Sequence, residues 1–116
     1  MDSPLNALAR RLREFADDRD WDQFHSPKNL AMALVGAAGE LAAEFQWLTE
    51  TQSQSPDAAQ LARIRAETAD VLNYLVRLAD KLDIDLIAAA NEKIDDNARR
   101  YPAEKVRGSS KKYTEY

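Results

Sequence analysis

Apolar side chains in this chain return every three or four residues, and no stretch shows the alternation of a strand, so the pattern predicts an all-α fold. Four helical segments can be read. The first opens at Ser3-Pro4, a capping hydroxyl followed by a proline suited to the first helical position, and carries Leu5, Leu8, Leu12 and Phe15 on one stripe before fading near Asp17. The second opens with the same signal at Ser26-Pro27. Its stripe is Leu30, Leu34, Ala38, Leu41, Phe45 and Leu48, widened by Ala31, Val35 and Ala42, which predicts a helix to about Leu48 buried on more than one side. A polar, turn-like stretch, TETQSQS, separates it from the third, which opens at Ser55-Pro56-Asp57 and runs through Leu61, Ile64, Thr68, Val71 or Leu72, Leu75 and Leu78 to about Leu82. The fourth starts at Asp83 or Asp85, carries Leu86, Ile87, Ala90, Ile94 and Ala98, and must end before Pro102, because proline restrains the residue ahead of it. Residues 103–116 have few apolar groups and read as a polar tail whose lysines and tyrosines are free to settle over a ligand. The architecture expected is a four-helix bundle, and helices apolar on several sides call for a partner chain.

Composition narrows the function. The 116 residues carry a net charge of −4, which argues against a general nucleic-acid surface. Positive charge gathers late, over residues 93–112, as suits a local anion site. Cysteine is absent, which excludes thiolate metal sites and disulfides. Residues 1–11 lack the apolar run of a secretory signal, and no window reaches the length of a membrane span, so the expected location is the cytoplasm, with no membrane partner.

Within this acidic background, Glu40 and Glu44 stand four apart on the second helix, and Glu67 and Asp70 stand three apart on the third. Such spacings place each pair on one helical face, and facing carboxylates suit a hard divalent cation. Spacing alone is weak: with 20 acidic residues, chance gives roughly three acid-x-x-acid pairs. The neighbours of Glu40 add weight. Gly36, Ala37, Gly39 and Ala43 are small enough to admit another helix or a ligand, and a helix-interior glycine costs about 1 kcal/mol against alanine. Glu67, Asp70, Tyr74 and Arg77 form a polar stripe opposite Leu75 and Leu78. A di-iron carboxylate site is disfavoured, because it needs Glu-x-x-His motifs and the single histidine, His25, precedes the second helix.

On the fourth helix Lys93, Asn97 and Arg100 share a face, offering a point charge, a neutral donor and a planar fork to an anion, or simply a solvated surface. Trp21, Trp47 and Tyr74 are flat side chains able to sandwich a nucleobase, although packing is the commoner fate of such residues. His25 is equally open, between a ligand contact and a loop hydrogen bond.

Taken together, these runs resemble a known family. RDWDQFHSPKNLAMALVGAAGELAAEFQWL is similar to the loop and second helix of the all-α nucleoside triphosphate pyrophosphatases, the group that includes MazG and the dCTP pyrophosphatases. ETADVLNYLVRLA resembles that family's Glu-x-x-Asp helix, NEKIDDNARRYP its phosphate-binding helix, and GSSKKYTEY the tail of the dCTP pyrophosphatase subgroup. The resemblance implies a helical pyrophosphatase domain over residues 1–102 with a tail over 103–116. It implies magnesium-dependent conversion of a nucleoside triphosphate, dCTP or a related pyrimidine deoxynucleotide, to the monophosphate and pyrophosphate, a house-cleaning reaction. It places Glu40, Glu67 and Asp70 at metal-ligand and catalytic positions. Lys93, Asn97, Arg100 and Tyr101 fall at phosphate-binding positions, and Trp21, His25, Trp47 and Tyr74 around the base. It also implies a homodimer, or a tetramer of two dimers.

The chain departs from that family's pattern at Ala37, where the second helix normally carries a glutamate three residues before Glu40, and at Ala43, three residues after it. Glu44 stands one step further and on the other side of Glu40 from Ala37, so it is not expected to restore the lost ligand. Two function classes follow: a hydrolase with a weakened metal site, and a non-catalytic nucleotide-binding or helical interaction module.

Overall fold

In a computed structural model of the chain, residues 2–110 are described, and among them the regular structure is entirely helical. Six helices follow in order: α1 (Pro4–Asp18), α2 (Pro27–Ala43), α3 (Glu50–Ser53), α4 (Ala58–Lys81), α5 (Leu86–Arg100) and α6 (Ala103–Val106). The four long ones are those that the apolar periodicity predicts. Their starts are capped as the sequence suggests: Ser3 Oγ accepts from the Asn6 amide and Ser26 Oγ from the Asn29 amide, both at 3.1 Å, each just ahead of a proline. Asp57 and Gln60 form a reciprocal capping box at the start of α4, and Asp85 caps α5.

Two boundaries differ from expectation. Helix α2 stops at Ala43 rather than near Leu48. Beyond it the Glu44 and Phe45 amides donate to the carbonyls three residues back, Leu41 and Ala42, so the chain tightens into turns. Phe45 and Leu48 remain half-buried; a spacing of three fits such turns as well as a helix, which is why the stripe overshoots. The polar stretch after it is not merely a turn: Thr49 and Gln52 form a second capping box and fold α3, a single helical turn. The start of the predicted tail likewise contains the short α6. The lysines and tyrosines beyond it, Lys111, Lys112, Tyr113 and Tyr116, lie outside the described residues.

The chain forms two compact units, one up to Asp83 and one from Ile84 onward. In the first, α4 packs most extensively on α2 and less so on α1. Its core is small, namely Ala16, Leu30, Ala37, Val76 and Ala79, with Leu30 the one large side chain wholly withdrawn from water among the described residues. Met32, Val35 and Trp47 stand exposed on α2 and the turn after it. The two glycines of α2 do not serve close packing among the described residues: a Cβ built at Gly36 or Gly39 meets nothing there within 4 Å. In the second unit, α5 carries Asp96 on its surface beside Lys93, Arg99 and Arg100, at 3.3–3.5 Å.

Candidate active site

The first wall of the site begins where α1 ends. The Trp21 amide donates to the Ala16 carbonyl at 2.9 Å and the Asp20 amide to the Asp17 carbonyl at 3.1 Å, with Asp20 left-handed at φ 54°. This is the paired closure that glycine commonly makes, here made by an aspartate. It turns the chain back so that Trp21 meets Phe15 edge-on, their ring centroids 5.7 Å apart. A short 3₁₀ turn (Asp22–Phe24) follows. The Asn29 side chain then ties the Phe24 carbonyl to the start of α2 at 3.0 Å, which leaves His25 between two anchored segments.

These segments and α4 enclose a cavity of about 460 Å³. Leu8, Leu12, Phe15 and Leu30 give it an apolar lining, Trp21 and Tyr74 contribute aromatic side chains, and Arg11, Asp70, Asn73, Arg77 and His25 supply the polar groups. A concave, mainly apolar space with a few polar groups is the usual form of a small-molecule site.

Glu40 of α2 meets Glu67 and Asp70 of α4, and one carboxylate oxygen from each lies within 4.8 Å of the others. Like charges so close disfavour full ionisation. The Glu67 pKa is raised above its ordinary 4.5, first by a hydrogen bond shared with the Glu40 carboxyl, then by burial, then by the charges of Glu40, Asp70 and Glu44. That shared bond requires a proton on one of the pair. With both ionised, Glu67 Oε2 is shut away from water and has no hydrogen-bond donor among the described residues. Glu44 points its charge elsewhere, accepting from Arg63 Nε at 3.1 Å. Ala37, one turn before Glu40, is buried.

Two turns after Asp70, Arg77 is the single buried charged residue among those described, with 5% of its surface exposed. Its Nε donates to His25 Nδ1 at 3.3 Å and one terminal nitrogen to Asp22 at 2.7 Å, while the other pairs with Asp80 at 3.4 Å. Arg13 grips Asp80 at 2.7 Å, and Lys81 grips Asp22. These cations hold both aspartates below the usual carboxylate range, through the Lys81 hydrogen bond for Asp22 and the Arg13 hydrogen bond for Asp80. His25 is pushed down from 6.5, first by burial and then by the Arg77 charge.

The sequence-predicted residues are therefore distributed unevenly. Glu40, Glu67 and Asp70 converge, and Trp21, His25 and Tyr74 line one cavity with Asp70. Trp47 does not line it; this side chain sits in the turn after α2 and is 87% exposed. Lys93, Asn97 and Arg100 stand on α5, and Tyr101 ends that helix with its amide donating to the Asn97 carbonyl at 2.8 Å. Three polar cavity residues were missed from sequence: Arg11 and Asn73 had no expected role, and Arg77 had none beyond its place on the polar stripe. The signal was that stripe itself, since 70, 74 and 77 continue one helical face.

A carboxylate cluster on two facing helices, at the edge of an aromatic cavity in an all-α chain, defines a class, and the chain belongs to the MazG-like family, whose family model matches residues 37–116. It is 51% identical over 113 residues to dCTP pyrophosphatase 1 of Homo sapiens, covering 96% of this chain and 66% of that protein. The Mus musculus protein of the same name is 49% identical over the same length, with the same coverage. The chain thus spans 66% of the length of these curated relatives. Among solved structures it is similar to a pyrophosphatase from Archaeoglobus fulgidus, with a TM-score of 0.82 and 35% identity over 88% of this chain and 95% of that one.

Proposed function

We propose that the chain hydrolyses a nucleoside triphosphate, dCTP or a related pyrimidine deoxynucleotide, to the monophosphate and pyrophosphate, with magnesium as cofactor. The observation that carries this reading is the double membership of Asp70, which belongs to the carboxylate cluster and also lines the aromatic cavity. A base held between Trp21 and Tyr74 thereby has the acids beside it. The relatives named dCTP pyrophosphatase and pyrophosphatase support the same reaction.

The residues fit a hard divalent cation: three oxygen donors converge, and a withdrawn Glu67 oxygen has no hydrogen-bond donor among the described residues. When bound, magnesium would neutralise phosphate charge and polarise the α-phosphoryl group toward water. The chain's own part is positioning. Glu40, Glu67 and Asp70 would hold the cation through their carboxylate oxygens. The apolar lining excludes water around the base, and Trp21, His25 and Tyr74 orient it. Lys93, Asn97, Arg100 and Tyr101 keep, in this proposal, the phosphate-binding role that the resemblance implies.

Ala37 favours a second reading, a nucleotide binder with little or no turnover. A hydrolysis screen over the common nucleoside triphosphates, with the product identified, separates the two. Magnesium-dependent release of pyrophosphate from dCTP, raised about tenfold or more by Ala37→Glu, is expected of the hydrolase with a missing ligand. Thermal stabilisation by nucleotide with no turnover in either form supports the binder. The proposal extends to a homodimer, or a tetramer of two dimers, covering exposed Met32, Val35 and Trp47; sedimentation at several protein concentrations tests it.

A further inference from the structure

Arg77 occupies an unusual position for a cation. It is buried, it borders the cavity, and it is fully committed: Nε to His25, one terminal nitrogen to Asp22 and the other to Asp80. A guanidinium held on three sides cannot swing out to take a phosphate. Its effect must pass through a neighbour, and His25 is the neighbour on the cavity wall.

The chemistry of that contact is one-directional. Arginine has only donors, so the imidazole Nδ1 facing it must be the unprotonated nitrogen. A doubly protonated imidazolium has no acceptor to offer, so the contact selects the neutral ring. In a neutral ring with Nδ1 bare, the proton sits on Nε2. No side chain among the described residues accepts from Nε2, while the backbone amide of His25 is already spent on the Asp22 carbonyl at 3.0 Å. Burial and the Arg77 charge act in the same direction, lowering the ring's pKa, with Lys81 adding to them and Asp22 opposing. Asp80 and Arg13 fix the far side of the guanidinium, and the other charged groups that line the cavity with His25 and Arg77 are Asp70 of α4 and Arg11 of α1.

We infer that Arg77 is a positioning residue that holds His25 as the neutral tautomer protonated on Nε2, so that the cavity presents a fixed N–H donor and selects a ligand whose ring edge carries a hydrogen-bond acceptor. This rests on the nucleobase reading of the cavity. It adds that recognition is made by one donor on a polarised ring, and that a flat ring lacking acceptors is rejected even though it stacks.

The single histidine makes the test clean, because ¹⁵N-histidine labelling reports one residue. In the full chain without nucleotide, His25 is expected to show a bare Nδ1 and a protonated Nε2, and to titrate below the ordinary 6.5. Arg77→Met should bring its titration up toward that value. Adding deoxycytidine, which has no phosphates and so avoids the metal site, should move the Nε2 resonance and leave Nδ1 largely in place. Loss of one neutral hydrogen bond predicts roughly tenfold weaker deoxycytidine binding in Arg77→Met and in His25→Leu. The double variant should be no weaker than either, since both break one unit. His25→Gln, which keeps a donor, should recover most of the affinity, and an apolar ring isostere of the nucleoside should bind the parent and His25→Leu alike. If Arg77→Met unfolds, His25→Leu, His25→Gln and the parent titration still decide. A wild-type ring protonated on Nδ1, or an Arg77→Met variant with unchanged titration and affinity, overturns the positioning role. The expected tautomer with no nucleoside bound overturns instead the nucleobase reading, and the recognition role with it.

Discussion

Midway along α4, Glu67 and Asp70 face Glu40, and no hydrogen-bond donor among the described residues reaches the buried Glu67 oxygen. Two turns later on the same helix, Arg77 is surrounded by partners: His25, Asp22 and Asp80, the aspartates held in turn by Lys81 and Arg13. Both clusters border one cavity, and each withdraws one charged group from water, a Glu67 oxygen in the first and Arg77 in the second. They differ in whether the chain supplies the opposite charge itself. A compensated cluster is complete as folded and holds geometry, whereas an uncompensated one disfavours its own charged state until something positive arrives. The difference fits the two proposed roles, binding for the acids and positioning for the arginine network.

The largest expected effect breaks the uncompensated side. Glu67→Gln should lower magnesium-dependent pyrophosphate release by about 100-fold, because it removes a charged ligand while keeping the shape. The same substitution should raise the melting temperature of metal-free protein, since the introduced amide can donate to Glu40. Loss of activity accompanied by loss of stability would show instead that Glu67 holds the fold.

Next comes the compensated side. Arg77→Met should destabilise the chain by about 2–3 kcal/mol, less than the full penalty for orphaning a buried ion pair, because Arg13 still serves Asp80 and Lys81 still serves Asp22. Chemical denaturation of the two proteins measures it.

The pH dependence of stability sharpens the contrast, because the signs are opposite. Glu67 has a raised folded pKa, so the folded state takes up a proton before the unfolded one, and its contribution improves as pH falls toward 4.5. Asp22 and Asp80 have lowered folded pKa values, so the stability they give is present above 3.8 and is lost as pH falls through their folded values. His25, lowered from 6.5, gives stability that diminishes as pH falls below that point. Comparing wild type with Glu67→Gln isolates the first group: the stability gap between them should be widest at neutral pH and close as pH approaches 4.5. Saturating magnesium should shrink the gap at neutral pH.

The smallest effect is expected on α5, where Asp96 sits among Lys93, Arg99 and Arg100 at the surface. The Arg100 charge holds Asp96 below the usual range, yet exposed pairs contribute little, and Asp96→Ala should leave the melting temperature almost unchanged.

Much of the architecture is legible in the chain because its signals are local. Ser3-Pro4 and Ser26-Pro27 cap helices through bonds to residues three positions on, and the leucine spacing marks the faces that pack. The end of α2 is not legible, since Phe45 and Leu48 keep their spacing through turns that only the backbone distinguishes from helix. The acid cluster is half legible: Glu67 and Asp70 share a face by spacing, but that Glu40 meets them depends on how α2 packs on α4. The Arg77 network is hidden for the same reason, being assembled from α1, the loop after it and α4, with partners 52 and 55 positions away. Gly36 and Gly39 mark the opposite failure. Their presence suggests close packing, and none of the described residues packs against a Cβ built there.

The two tryptophans, one on the cavity wall and one exposed, also give the molecule two optical reporters in unlike surroundings. Trp21 lies edge-on to Phe15 and lines the cavity, whereas Trp47 is 87% exposed. Fluorescence from Trp21 should respond to what enters the cavity, and a soluble quencher should reach Trp47 first. Replacing one tryptophan at a time with phenylalanine would let a single cuvette follow ligand binding with one colour shift and chain association with another.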